Sequence, residues 1–176
     1  MNIVLLTGPM GSGKSTLAHR LCRAKLNEPT GCIEGDAVSM THPGGANHRR
    51  LDLVERNLIA CAHNFSVWGA SFLFMTWIFT VEHRMNGFVS RLEACKWPVM
   101  RVVLSGDVDT LLKRISSRPM PNPMRDRDAT WLSDVTAGIK TFKADLHINT
   151  AEFDERESIG KIIAAMNGFP KFRKPR

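Results

Sequence analysis

The residues with the clearest potential for chemistry form the sequence GPMGSGKS at positions 8–15. Its spacing fits the pattern G-x-x-x-x-G-K-[ST], in which glycines let the backbone curl so that its N–H groups point at phosphate oxygens. An apolar run at 2–7 precedes the loop and a segment of helical period follows it. Because a helix N-terminus carries partial positive charge, this context also favours a bound anion. We therefore predict a nucleotide-phosphate site in this loop.

Two side chains at the end of the loop have separate predicted roles. The ammonium group of Lys14 would bridge the β- and γ-phosphates of ATP, and the hydroxyl of Ser15 would be a ligand of Mg²⁺. The other residues predicted to contact the nucleotide here are Gly8, Pro9, Met10, Gly11, Ser12, Gly13 and Thr16. ATP and Mg²⁺ are the cofactors that this pattern predicts.

An acidic residue, Asp36, follows the second apolar run of the chain, which ends in Cys-Ile-Glu at 32–34. In a parallel α/β sheet, ligands bind at the carboxyl ends of the strands. A carboxylate there can accept the proton of an attacking hydroxyl or support a metal ion through water. We predict both a catalytic and a metal-site role for Asp36, with a turn cap as the alternative.

A group of arginines lies near a proline-rich segment in the second half of the chain. Arg114 and Arg118 are four residues apart at the end of a predicted helix, and Arg125 and Arg127 follow. Cations that close over a nucleotide stabilise the charge of a phosphoryl transition state. We predict a lid over about residues 117–128 that brings Arg118 to the phosphates. The alternative for Arg125 and Arg127 is a solvated run that pairs with its own aspartates.

Apolar runs rich in β-branched and aromatic residues alternate with segments of helical period, which predicts an α/β fold with a parallel sheet. One domain over residues 1–170 and a basic tail at 171–176 account for the chain. Strands are predicted at 2–7, up to 34, 72–79, 100–104 and 145–148, and helices at 14–25, 47–62, 81–95, 107–118, 129–142 and 154–166. Asp107 is expected to cap the fourth of these helices. In the helix at 47–62, Glu55 is expected to lie away from the apolar face. Three prolines exclude a regular helix at 119–128.

Composition indicates a globular protein, with 43% hydrophobic and 23% charged residues. The four cysteines form no C-x-x-C pair, so we expect free and mostly buried thiols. The apolar run near residue 75 is too short to span a membrane, and we expect a cytoplasmic monomer or homodimer. The net charge is +7, and the basic tail could hold nucleic acid, but a solvated terminus is the favoured interpretation.

Three segments, GPMGSGKST, IEGDAVSMTHP and VVLSGDVDTLLKRISSRP, resemble the small-molecule kinases of the gluconate kinase and shikimate kinase type, within the wider nucleoside-monophosphate-kinase-like P-loop group. The resemblance implies a three-layer α/β/α P-loop fold with a five-stranded parallel sheet in the order 2-3-1-4-5. It also implies that Arg114 packs on adenine and that ATP donates its γ-phosphate to a hydroxyl of a small metabolite. The implied acceptor contacts are Asp36, His42, Arg49, Arg50 and Arg56. The sequence carries E-G-D where relatives often carry D-x-D.

Two other functions stay open at this point. A kinase of nucleotides, modified bases or polynucleotide ends is favoured slightly by the net positive charge. A nucleotide-dependent switch or assembly ATPase is less favoured, because the chain has no N-K-x-D motif and its third strand, FLFMTWIFT, ends without a carboxylate.

Overall fold

The computed structural model describes residues 1–24, 28–41, 48–117 and 126–172, and gives the backbone alone for 126–128. Five strands form one parallel sheet in the order β2-β3-β1-β4-β5. The strands are β1 Asn2–Thr7, β2 Thr30–Glu34, β3 Phe72–Thr76, β4 Val99–Ser105 and β5 Leu146–Asn149. The predicted strand order is confirmed.

Helices cover both faces of the sheet, and the strands are therefore almost continuously apolar. The helices are α1 Lys14–Arg23, α2 His48–Trp68, α3 Glu82–Ala94, α4 Val108–Ser116, α5 Asp126–Ile139 and α6 Glu155–Gly168. Side chains of β1 alternate between two cores, with Ile3 and Leu5 facing α2, α3 and α5, and Val4 and Leu6 facing α1 and α6. This arrangement is the predicted three-layer α/β/α fold.

Capping residues decide where two of the helices begin. The Asp107 carboxylate accepts a hydrogen bond from the Thr110 backbone at 2.7 Å, as predicted from its place before α4. Asp154 and Glu157 form a reciprocal capping box at the start of α6. Both helices begin after strands at the carboxyl edge of the sheet, so their N-termini lie on the side where ligands of such folds bind.

Some predicted boundaries were wrong. Helix α2 extends to Trp68 rather than ending near residue 62, and β3 ends at Thr76 rather than at 79. Helix α5 begins at Asp126, inside the range expected to be non-helical. The last proline of that range is at 123, so no pyrrolidine ring opposes helix at 126–128. Residues 118–125 lie outside the described part of the chain.

Two predictions about burial were also wrong. Glu55 is buried on the apolar side of α2, because arginines of α3 pair with its carboxylate there. The four cysteines are free, as expected, but Cys22, Cys32 and Cys61 are only half-buried and Cys95 is exposed. Among the described residues, no helix combines the length and the apolar character needed to cross a membrane.

Candidate active site

The loop at 8–13 connects the end of the central strand β1 to the start of α1. Gly11 and Gly13 have φ angles of +80° and +84°, a region that side chains with a Cβ adopt at a cost. A Cβ on Gly8 would lie 2.6 Å from the backbone oxygen of Leu104, and one on Gly11 would lie 2.8 Å from that of Leu111. The glycines of the motif are therefore required by local geometry and by close backbone contacts.

Two polar side chains of this loop are suited to phosphate. The Lys14 ammonium donates to the backbone oxygens of Gly8 and Pro9, both at 2.9 Å, so it lies over the concave side of the loop. Ser12 is fully buried, and in the described part of the chain its hydroxyl finds no hydrogen-bond partner. A buried hydroxyl without a partner is costly, and a phosphate oxygen would satisfy it.

A carboxylate that contacts the first turn of α1 belongs to Glu34, the last residue of β2, which was not among the site residues predicted from the sequence. The Ser15 hydroxyl donates to Glu34 Oε2 at 2.5 Å, and His19 Nε2 lies 2.9 Å from Glu34 Oε1. Strand β2 runs beside α1, and this neighbouring position brings the three side chains together. One feature of the sequence could have identified Glu34. It is the last residue of the strand and directly precedes the turn that holds Asp36.

Asp36 lies two residues further on, in a 3₁₀ helix at Gly35–Val38, and its side chain is exposed. Residue 35 must be glycine, because a Cβ there would lie 2.1 Å from the Trp77 indole. The segment is tied to α2 through Arg50, which donates to the Ser39 backbone oxygen at 3.1 Å, and through Asn57, which donates to the Val38 oxygen at 2.9 Å. Asp36 is thus carried on an anchored turn.

A cavity of about 360 Å³ opens beside the phosphate loop. Its lining includes the loop residues Gly11 to Gly13 together with Arg114, Thr150 and Phe153. The Arg114 guanidinium donates to the Thr150 hydroxyl at 3.0 Å and to the Thr150 backbone oxygen at 2.6 Å. These bonds hold the planar guanidinium in one orientation at the wall of a cavity that is continuous with the phosphate loop.

The remaining predicted residues are more scattered. Arg49 and Arg56 are exposed, and the Arg56 guanidinium donates to the Asp52 backbone oxygen at 3.4 Å. His42, Arg118 and Arg125 lie outside the described residues, and the Arg127 side chain is not described. Their predicted roles stay predictions.

The oxygen donors beside the loop suit Mg²⁺. Magnesium prefers hard oxygen ligands and usually takes only one or two from the protein, with waters and substrate phosphates completing its shell. Ser15 and Glu34 supply a hydroxyl and a carboxylate in direct contact. In the described part of the chain no group of three His, Cys, Asp or Glu residues could hold a metal by itself. The donor set therefore fits a phosphate-bound ion rather than an all-protein metal cage.

Solved structures with the same architecture place this site in context. A sugar kinase from Janibacter superposes with a TM-score of 0.70 at 16% identity over 99% of both chains. A tunicamycin resistance protein from Deinococcus radiodurans matches with a TM-score of 0.68 at 17% identity, over 94% of this chain and 95% of that one. The APS kinase of Mycobacterium tuberculosis matches with a TM-score of 0.67 at 16% identity, over 94% and 97%.

The chain has the fold of the small-molecule P-loop kinases. A gluconokinase and a shikimate kinase are among the other matches, at 14% and 17% identity, so the resemblance to kinases of that type is confirmed for the fold. No protein-family model matches the sequence. No curated protein matches it either.

Proposed function

We propose that the protein is an ATP-dependent phosphotransferase that moves the γ-phosphate of ATP to a hydroxyl of a small metabolite. The observation that carries the proposal is the contact of the Ser15 hydroxyl with the Glu34 carboxylate, next in the chain to Lys14, whose ammonium group contacts the loop oxygens of Gly8 and Pro9. A cation, a metal-ligating hydroxyl and a carboxylate at one phosphate loop are what phosphoryl transfer requires.

The loop side chains would bind and orient the phosphates. In the proposed complex, Lys14 exchanges its contacts with the Gly8 and Pro9 oxygens for phosphate oxygens, and the buried Ser12 hydroxyl donates to a phosphate oxygen as well. Ser15 and Glu34 would hold Mg²⁺, which supplies positive charge against the charge that builds up on the β- and γ-phosphates. Because the Ser15 hydroxyl donates a hydrogen bond to Glu34, the lone pairs of the serine oxygen can coordinate the metal.

Asp36 is the proposed general base. The acceptor oxygen forms a bond to the γ-phosphorus while the bond from that phosphorus to the β–γ bridging oxygen breaks, and ADP leaves. The proton of the acceptor hydroxyl passes to the Asp36 carboxylate. Asp36 suits this role because it is exposed at the carboxyl edge of the sheet while its backbone is anchored by the Arg50 and Asn57 contacts of the turn.

The cavity beside the loop is the proposed place of the nucleoside. Arg114, fixed by its two bonds to Thr150, would present the flat guanidinium to the adenine ring. Arg118 remains the predicted second arginine, which would reach the phosphates from the lid.

A second candidate function is a kinase of nucleotides, modified bases or polynucleotide ends. The net charge of +7 supports it, because polyanionic acceptors are attracted to a basic protein. A switch or assembly ATPase has less support, since β3 ends at Thr76 without the carboxylate that usually holds metal and water in that class.

The test is ATP consumption with and without a panel of sugar acids, other hydroxylated metabolites, nucleosides, nucleotides and oligonucleotides. We expect acceptor-dependent ADP release with a hydroxylated metabolite. Lys14→Ala should lower kcat at least about a hundredfold, the scale of losing one preorganised charge contact, while its thermal unfolding stays close to that of the wild type. Turnover of this variant at the wild-type rate would contradict the phosphate-loop assignment. Consumption with oligonucleotides alone would favour the second candidate.

A further inference from the structure

We propose that His19 is a positioning residue that fixes the Glu34 carboxylate for its work on Ser15 and Mg²⁺. The proposal rests on the proposed function, since it concerns how the metal side of that site is held. It adds a residue that lies outside the phosphate-loop motif and acts on the site through its contact with Glu34.

The two partners of Glu34 are one helical turn apart. Ser15 and His19 are residues i and i+4 of α1, so both lie on the helix face beside β2. Each takes a different oxygen of the carboxylate, with Ser15 on Oε2 at 2.5 Å and His19 on Oε1 at 2.9 Å. Because both oxygens are held by one helix, the plane of the carboxylate is fixed relative to the N-terminus of α1.

The length of the acidic side chain explains why a second anchor is needed. Glutamate has one more methylene and one more rotatable bond than aspartate, so more side-chain entropy is lost when it is held in one orientation. Glu34 also lies on β2, which is an edge strand of the described sheet and pairs there with β3. If Ser15 were the single partner of the Glu34 carboxylate, the carboxylate could rotate about its hydrogen bond to Ser15. The contact with His19 prevents this rotation.

A surface ion pair without function is the competing explanation, since the His19 side chain is 55% exposed and such pairs contribute little to stability. The Glu34 side chain, however, is only 23% exposed and its other oxygen is held by the residue that follows Lys14. A partner of this kind, which orients a group beside a metal, typically changes metal affinity or activity about 10–100-fold when it is lost. The two explanations therefore predict different effects of a His19 substitution on the Mg²⁺ dependence of nucleotide binding and turnover.

The test uses His19→Ala and His19→Gln, each in the Glu34 protein and in a Glu34→Asp background, at one fixed pH. The His19→Gln side chain keeps an N–H donor, whereas His19→Ala removes it. Arg23→Ala is the matched control, because Arg23 is exposed one further turn along the same helix. For each protein we would measure binding of AMP-PNP by calorimetry with Mg²⁺ and with EDTA, the Mg²⁺ dependence of ATP turnover, and thermal unfolding.

We expect His19→Ala to raise the Mg²⁺ concentration for half-saturation about tenfold, with AMP-PNP binding in EDTA and the unfolding temperature unchanged. His19→Gln should restore most of the loss, and Arg23→Ala should match the wild type. In the Glu34→Asp background, where the shorter carboxylate cannot reach both partners, His19→Ala should have less than about a twofold effect.

A Mg²⁺ dependence of His19→Ala within twofold of wild type would overturn the proposal, as would an equal loss in both backgrounds. His19→Ala could instead lose AMP-PNP affinity equally with Mg²⁺ and with EDTA and unfold at a lower temperature. That result would assign His19 a structural role and would also overturn the proposal. These results leave the proposed function standing. Wild-type protein that neither binds AMP-PNP nor consumes ATP would instead refute the proposed function, and this inference with it.

Discussion

At the scale of single residues, two carboxylates lie at the carboxyl end of β2 and their surroundings differ. Glu34 is partly buried and holds Ser15 and His19, whereas Asp36 is exposed on an anchored turn. Gly35 separates them because the Trp77 indole occupies the space of its missing side chain. In the proposed function, Glu34 therefore serves the metal side of the phosphate loop and Asp36 serves the acceptor.

This difference predicts distinct effects of two isosteric substitutions. Glu34→Gln should weaken Mg²⁺-dependent AMP-PNP binding about 10–100-fold, because the amide cannot accept from both Ser15 and His19 as the carboxylate does. Asp36→Asn should leave that binding within about twofold and lower kcat by about 10²–10⁴, the usual contribution of a general base. Calorimetry and acceptor-dependent turnover measure the two effects. The reverse pattern would exchange the two roles.

A second prediction at this scale concerns the thiols. Burial first, and then the nearby Cys22 and Glu34, raise the pKa of Cys32 to about 12. Because the thiolate is the nucleophile, Cys32 should react slowly at pH 8, whereas the exposed Cys95 should react first. Peptide mass spectrometry after timed iodoacetamide treatment gives the order of labelling. Early labelling of Cys32 in folded protein would contradict the prediction, and Cys32→Ser, as a control, should leave the labelling of Cys95 unchanged.

At the scale of elements, the ends of α2 and α3 show how the backbone leaves a helix. Gly69 follows α2 with a φ of +97°, and Lys96 follows α3 with a φ of +61°. At the end of α3, the Lys96 and Trp97 amides donate to the Glu93 and Leu92 oxygens. Glycine adopts such angles freely, but a lysine does so at a cost.

Two substitutions should therefore change stability in opposite directions. Lys96→Gly should raise the free energy of unfolding by up to about 1 kcal/mol, because it relieves the left-handed backbone after α3. Gly69→Ala should lower it by about 1–2 kcal/mol, although a Cβ there would meet no atom within 4 Å. Urea denaturation measures both, and a destabilised Lys96→Gly protein would show that the lysine side chain itself contributes.

At the scale of the whole molecule, a charge cluster centred on the buried Glu55 connects α2 and α3 over one face of the sheet. The Glu55 side chain is 4% exposed and accepts from Arg84 of α3 at 2.5 Å and from Arg91. Arg84 also contacts Asp52, and its hydrogen bond lowers the pKa of that carboxyl. The cluster joins two helices that pack on the same core, and one of them, α2, also contacts the segment that carries Asp36 through Arg50 and Asn57.

Glu55→Gln should destabilise the protein by about 2–4 kcal/mol, near the range for breaking a buried ion pair, because Arg84 and Arg91 both lose the charge of Glu55, although Arg84 keeps its contact with Asp52. Glu93→Gln is the matched control, since Glu93 pairs with Lys171 at the surface and should contribute at most about 1 kcal/mol. Chemical denaturation of both proteins makes the comparison. Similar small losses in both would mean that solvent screens the Glu55 cluster.

The sequence alone was enough to predict the phosphate loop at 8–15, the alternation of strands and helices, and the cap at Asp107. These features depend on local properties, namely glycine conformations, side-chain periodicity and the capping of free backbone amides. The strand order was correct because the resemblance to known kinases implied it. The end of α2 was less well predicted, although Gly69 directly follows the helix and is a typical stop signal.

Only the tertiary structure decided which charged side chains meet. Ser15 contacts Glu34, 19 residues later in the chain, because β2 is laid beside α1, and Glu55 is buried because arginines 29 and 36 residues later reach its carboxylate. A helical wheel shows Glu55 only as a charged residue, and the strand pattern shows Glu34 only as the last residue of an apolar run. Their roles come from contacts between elements that no local pattern records.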